Sequence, residues 1–286
     1  MKLIIQIPCF NEAETLPETV ADLPREVEGF DSVEWLVIDD GSTDGTAEIA
    51  REAGVDHVVS LPHNQGLARA YITGLEAAMR LGADVIVNTD ADNQYDARGV
   101  PALTAPILAG EAQIVIGARP IEEIAHFSYG KRVMQRVGSW VVSLAAGIEV
   151  EDAPSGFRAM HRNAAMQLYV FNRYTYTLET IIQAGRLSIP IVSVPVGVNP
   201  PTRPSRLVRS SLDYALRSII TIIRVFVLYR PFRSFAAMSL IVALPGLYAF
   251  ARFFIFYLMG DGGGRIQSLV VGGAFLVSAI IVFIGG

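Results

Sequence analysis

The chain reads as an α/β domain built on a mainly parallel sheet, followed by an amphipathic interfacial helix and a two-helix membrane hairpin. Three observations predict this. Short apolar runs alternate with helical stretches through the first 120 or so residues. Polar, acid-rich clusters fall directly after three of those runs. Finally, the 286 residues are 51% hydrophobic, and the excess is concentrated from Phe235 onward.

In chain order, Leu3 to Ile7, Trp35 to Ile38, His57 to Ser60, Asp84 to Asn88 and Gln113 to Gly117 read as strands. Ala13 to Leu23, Gly45 to Ala53, Leu67 to Leu81 and Val100 to Ala109 read as helices between them. Such alternation implies right-handed crossovers and a sheet covered on both faces. Ligands of open parallel sheets bind beyond the carboxyl ends of the strands, so Pro8 to Glu12, Asp39 to Asp44 and Asp90 to Gln94 should share one rim. The N-terminal apolar run is too short for a signal peptide core and is read as the first strand. Cys9, the single cysteine, is expected as a small buried side chain at the end of that strand.

Asn199 to Arg206 holds three prolines and is read as a linker, giving a catalytic domain over 1–200 and a basic linker with juxtamembrane helix over 201–233. Leu207 to Tyr229 has helical apolar spacing with Arg209, Arg217 and Arg224 interspersed, as in a helix lying in the lipid interface. A terminal helix packed on the soluble domain would show the same pattern. The membrane part is 234–286: Ser234 to Leu258 has 25 residues with one charge, Arg252, and Ile266 to Gly286 has 21 with none. Each is long enough to span about 30 Å of hydrocarbon. Seven arginines against one acid lie between Pro201 and Phe235, so the positive-inside rule expects a multi-pass membrane protein with its catalytic domain in the cytoplasm. Arg252 is expected to snorkel toward an interface. A net charge of -5 without a basic stripe in the globular part argues against nucleic acid as a partner.

Asp90-Ala91-Asp92-Asn93-Gln94 follows the apolar Val85-Ile86-Val87 and presents two carboxylates and an amide oxygen where a buried strand surfaces. Hard oxygen ligands suit Mg²⁺ or Mn²⁺, which neutralises a departing diphosphate; a polar turn would use the same residues. No G-x-G-x-x-G or Walker A sequence is present, which disfavours a dinucleotide-binding domain or a P-loop.

Pro8-Cys9-Phe10-Asn11-Glu12, Asp39 to Thr46, His63-Asn64-Gln65-Gly66-Leu67, Asp90 to Gln94 and Asp152-Ala153-Pro154-Ser155-Gly156-Phe157-Arg158 together resemble the ordered signature of family 2 glycosyltransferases of the GT-A fold. More narrowly, the chain is similar to polyprenyl-phosphate glycosyltransferases. The resemblance implies metal-dependent, inverting transfer of a hexose from a UDP- or GDP-linked sugar to a membrane polyprenyl phosphate, giving a lipid-linked sugar for later glycosylation. It implies a donor-nucleotide site at Pro8, Phe10, Glu12, Asp40, Gln65, Asp90 and Ala91, and a metal site at Asp90, Asp92 and Gln94. Asp152 and Asp92 would be catalytic, and Arg119, Arg132, Arg136, Ser139 and Arg206 would bind the acceptor phosphate, with Lys131 as a further candidate. For Asn11 and Asp44 a helix-capping role stands beside the donor-site one, and for Asp152 an ion pair with an arginine stands beside catalysis. Gly117-Ala118-Arg119 lacks the serine hydroxyl usual in the family's Gly-Ser-Arg. A homo-oligomer is compatible with the resemblance. The rival readings are a processive polysaccharide synthase and a catalytically silent membrane scaffold. The first would need a Gln-x-x-Arg-Trp motif, whereas Gln135 to Trp140 has other spacing and lies too early.

Overall fold

The computed structural model describes residues 1–120, 129–170, 176–200, 223–224, 227, 231–259 and 266–285. Arg206, the linker 201–206, most of the expected interfacial helix and the turn 260–265 lie outside them, as does the side chain of Lys131. The chain forms two compact units, 1–222 and 223–286.

The first unit is built on a seven-stranded sheet. Its strands are β1 (Lys2–Cys9), β2 (Ser32–Asp39), β3 (His57–Ser60), β4 (Val85–Asn88), β5 (Ile114–Ala118), β6 (Arg158–His161) and β7 (Ile191–Pro195). They lie in the order β3-β2-β1-β4-β6-β5-β7. Every described pairing is parallel except those of β6, which runs antiparallel between β4 and β5. The helices are α1 (Leu16–Asp22), α2 (Thr46–Glu52), α3 (Leu67–Arg80), α4 (Val100–Leu108), α5 (Tyr129–Ala146), α6 (Arg162–Ala165) and α7 (Thr177–Arg186). All five expected strands and four expected helices are present, with ends that differ by at most three residues. β2 begins three residues earlier than expected, and α1 begins three residues later, at Leu16, because Ala13 to Thr15 form a turn. There the backbone N–H groups of Thr15 and Leu16 donate to the Glu12 carbonyl.

β1 lies inside the sheet between β2 and β4, and Leu3 to Cys9 are all buried, which explains its largely apolar sequence. Leu3, Ile5 and Ile7 pack with Leu16, Val20, Val87, Val100, Leu103 and Phe157 in one apolar cluster. Burying each such Leu or Ile contributes about 1.5–3 kcal/mol. Gln6 interrupts the apolar run. Fully buried, it donates from Nε2 to Asn88 Oδ1 at 2.9 Å, the first link of a polar network that reaches the sheet's carboxyl rim. Cys9 is 2% exposed, as expected, and burial pushes its thiol pKa well up.

The second unit contains α8 (Pro231–Leu258) and α9 (Ile266–Ile284), both long and apolar enough to cross a membrane. They pack antiparallel, with Phe232 against Phe283 and Ser239 Oγ donating to the Ala279 carbonyl at 2.7 Å. Gly246 and Gly272 allow the closest approach. A Cβ on Gly272 would lie 2.6 Å from the Phe250 ring, so small residues set this crossing.

Candidate active site

Parallel pairing brings Cys9 level with Asp39 and Gln6 level with Asn88, so the loops after β1, β2 and β4 emerge together. The first two are knitted to each other. Asn11, held at a left-handed φ of 53°, donates from its backbone N–H to Ser42 Oγ and accepts from Thr43 N–H, both at 2.9 Å. Asp44 accepts from the N–H groups of Ala13 and Thr46, each at 3.1 Å, and so ties the β1 loop to the residue that opens α2, whose N-cap is Gly45. Asp40 is 2% exposed; its two oxygens accept from the Gln65 and Gly66 N–H groups, each at 2.8 Å. It fixes the Asn64–Gly66 loop beside the rim. Gly41 makes that contact feasible: it has a φ of 70°, and a Cβ there would lie 2.5 Å from the His63 backbone. Of the other candidate donor residues, Pro8 is buried one residue before the end of β1, Phe10 is 41% exposed and Ala91 is buried. Glu12 accepts from Thr15 Oγ1, and the backbone N–H of Gln65 is held by Asp40 as above.

The β4 loop carries the acid pair. Asp92 Oδ1 accepts from the Gln94 N–H at 3.2 Å, closing a turn with Asn93 at a left-handed φ of 54°. Chain returning from β7 clamps this loop: Asn199 donates from its backbone to the Gln94 carbonyl and from Nδ2 to the Asn93 carbonyl, both at 2.9 Å. Loss of solvation raises the Asp90 pKa to about 7; Asp92 adds to the shift, while Arg119 and Arg158 oppose it. A desolvated carboxylate repelled by a second, partly exposed one beside an amide side chain fits a hard cation. Among the described residues no group of three or more His, Cys, Asp or Glu could hold a metal by itself.

Because the folded-state pKa of Asp90 lies above its unfolded value, the folded protein binds more protons between about pH 4 and 7, and stability is lost as pH rises through that window. Asp90→Asn should therefore raise the melting temperature of metal-free protein more at pH 8 than at pH 5, as measured by differential scanning fluorimetry. An equal effect at both pH values would contradict the assignment.

β6 supplies the other wall. Because it runs antiparallel, its N-terminal end lies at the carboxyl rim of its parallel neighbours, and it carries Asp152 to Phe157 there. Gly156 sits against Asp90: a Cβ would lie 3.1 Å from Asp90 Oδ1 and from the Tyr176 hydroxyl. Its N–H donates to the Tyr95 hydroxyl at 2.9 Å, and its carbonyl accepts from Asn88 Nδ2 at 2.8 Å. Asn88 also donates to the Tyr176 hydroxyl at 3.0 Å, and Tyr176 stacks on Tyr71 with centroids 3.7 Å apart.

Asp152 and Arg119 meet in a bidentate pair, Nε to Oδ2 at 2.7 Å and Nη2 to Oδ1 at 3.0 Å, with the Arg119 N–H also donating to Oδ2 at 3.2 Å. Asp152 is 1% exposed, so this pair is desolvated on the acid's side. Ser139 Oγ accepts from the Ala153 N–H at 3.1 Å and holds the same loop to α5. Arg132 is half-buried and Arg136 exposed on α5.

Arg158, which closes the Asp152–Arg158 motif, is a site residue that the sequence alone does not single out. Fully buried, Arg158 donates to the carbonyls of Ala153, Ser155 and Thr177 and to Thr180 Oγ1, at 2.7 to 2.9 Å. Burial lowers its pKa, opposed by Tyr176 and Tyr71. It ties the Asp152–Gly156 loop to the start of α7. Asn88, a polar residue ending an apolar run, was a readable signal.

This sheet, with acid pair and arginine–aspartate pair on one rim, is a GT-A-like α/β fold. The glycosyl transferase family 2 profile matches residues 4–169. An undecaprenyl-phosphate mannosyltransferase of Micrococcus luteus is 29% identical over 206 residues, 68% of this chain and 83% of that protein. A UDP-N-acetylglucosamine–dolichyl-phosphate N-acetylglucosaminyltransferase of Methanococcus voltae is 29% identical over 211 residues, 66% of this chain and 82% of that one. Among solved structures, glucosyl-3-phosphoglycerate synthase of Mycobacterium tuberculosis, in complex with Mn²⁺, UDP-glucose and phosphoglyceric acid, superposes with a TM-score of 0.61 at 24% identity, covering 78% of each chain. The chain belongs to glycosyl transferase family 2 and is a glycosyltransferase.

Proposed function

We propose that the chain transfers a hexose from a nucleotide diphosphate sugar to a polyprenyl phosphate at the cytoplasmic face of a membrane. The observation that carries this reading is the convergence of the Asp90/Asp92 pair and the Arg119–Asp152 pair on one rim, in a chain that also holds two helices of membrane-spanning length. The names of the two relatives support the acceptor class: both act on a polyprenyl-type phosphate, although their sugars differ.

On this reading the loops at Pro8 to Glu12 and Gln65 line the nucleoside side of the rim, with Asp40 holding the second loop in place. Asp90, Asp92 and Gln94 would hold Mg²⁺ or Mn²⁺. When bound, the ion supplies charge neutralisation to the departing diphosphate. The acceptor needs little activation, since a phosphate monoester has a second pKa of about 6 and is largely dianionic near neutrality. A phosphate oxygen bonds to the anomeric carbon as the bond from that carbon to the diphosphate oxygen breaks. The leaving nucleoside diphosphate keeps the electron pair. Attack from the face opposite the nucleotide inverts the centre, so an α-linked donor gives a β-linked product.

Arg119 is the cation best placed for the incoming phosphate, and Asp152 acts as its positioning residue, since both carboxylate oxygens already accept from the guanidinium. Arg132, Arg136 and Arg206 are further acceptor-side candidates, and Ser139 supports the loop. Tethering the lipid substrate and the catalytic unit to one bilayer supplies proximity.

Full-length protein in detergent, given a panel of UDP- and GDP-sugars with polyprenyl phosphate and Mn²⁺, should yield one lipid product heavier than the acceptor by a single hexose, read by mass spectrometry. Products carrying many sugars would favour a processive synthase. Nucleotide release that ignores the lipid would overturn the acceptor assignment.

A further inference from the structure

We infer that the outer face of α5 (Tyr129–Ala146) docks on the lipid bilayer, giving the catalytic unit a membrane contact separate from the hairpin. The helix buries one side against the domain and exposes an apolar stripe on the opposite one. Gln135, Ser139, Val142, Ala145 and Ala146 are buried against the domain. Val133, Val137, Trp140 and Leu144 recur every three or four residues on the opposite side and are 38%, 44%, 65% and 40% exposed. At 100° per residue these four fall within one narrow stripe, directly opposite the buried face. A scattered exposed leucine means little, but an aligned stripe headed by tryptophan marks an interaction surface.

Charge chooses the occupant. Lys131, Arg132 and Arg136 belong to this helix, and no acid occurs from 129 to 148. A basic helix with a tryptophan on its exposed apolar side has the composition of one that settles at an anionic lipid surface. A second protein copy would have to match that positive charge with acids of its own. The inference rests on the membrane reading proposed above, because α8 and α9 would keep the catalytic unit tethered near a bilayer.

The chain offers its own probe, since its two tryptophans are Trp140 and Trp35. Trp35 is 6% exposed and its ring lies under the Arg25 guanidinium, 3.3 Å from the ring centroid. Full-length Trp35→Phe and Trp140→Phe proteins, each with one tryptophan, would be reconstituted into phosphatidylcholine vesicles containing phosphatidylglycerol. Incorporation is checked by flotation. The tested lipids carry bromine either near the headgroup end of the acyl chains or at their tips. A helix buried by about 5–10 Å predicts that the Trp35→Phe protein loses about half its emission to shallow bromine and less to deep bromine, while the Trp140→Phe protein is unaffected. Aqueous iodide should quench Trp140 less in vesicles than in detergent-free denaturant. Failure to float would overturn the membrane reading itself. Floating protein whose Trp140 ignores brominated lipid would overturn this inference alone, whether iodide reaches the ring (water covers it) or protection depends on protein density (a second copy covers it).

Discussion

Replacing Asp92 with Ala should abolish sugar transfer while leaving the melting temperature nearly unchanged. The side chain sits partly exposed in a rim loop, outside the strands and the apolar cluster, so little packing is lost. Its charge matters more. Removing a partner one shell out from a metal already costs about 10–100-fold, and losing a direct ligand should exceed that. Asp92→Asn keeps an oxygen that can accept from the Gln94 N–H, as Asp92 Oδ1 does at 3.2 Å, and should be almost as inactive, which separates loss of charge from loss of loop shape. Turnover measured with and without chelator checks both variants. Substantial activity in Asp92→Ala, or in wild type stripped of divalent ions, would count against the metal site.

Arg158→Met should be the most destabilising single change at the site. It would leave the carbonyls of Ala153, Ser155 and Thr177 and the Thr180 hydroxyl without their donor, inside a region closed to water. An unsatisfied buried polar group costs about 1–3 kcal/mol, so a loss of about 3–5 kcal/mol is expected after partial relaxation. Urea unfolding at unchanged slope measures it. Arg158→Lys keeps the charge but has no planar fork of five donors, and should fall between the two. Because the same guanidinium fixes the loop that bears Asp152 and Gly156, the lysine variant should also lose turnover while still binding nucleotide. A lysine variant as stable and as active as wild type would show that the loop does not depend on this residue.

Parts of this molecule were legible without coordinates because they depend on local rules. Buried parallel strands must be apolar on both sides, so β1, β2, β4 and β5 read as largely apolar runs such as Leu3 to Ile7. Likewise Asp90 and Asp92 directly after such a run had to lie at a carboxyl rim. Helices of membrane length need only a count of uncharged residues. By contrast, β6 and β7 were not anticipated. Arg158 to His161 opens with a charge and closes with an imidazole, so no apolar run betrays it. Only its partners on both sides make it a strand.

The amino-acid order by itself determined the class of fold, the acid-bearing rim and the apolar hairpin, since periodicity and turn chemistry act over a few residues. What the tertiary structure alone decided is how side chains distant in sequence are used. The antiparallel insertion of β6 carries Asp152 to Arg119 and Gly156 to Asp90, across 33 and 66 residues of chain. Asp40 turns inward to hold the Gln65 loop. A carboxylate reads the same in sequence whether it faces a ligand or a backbone amide, and it is the packing of other elements around it that removes the water and selects the partner.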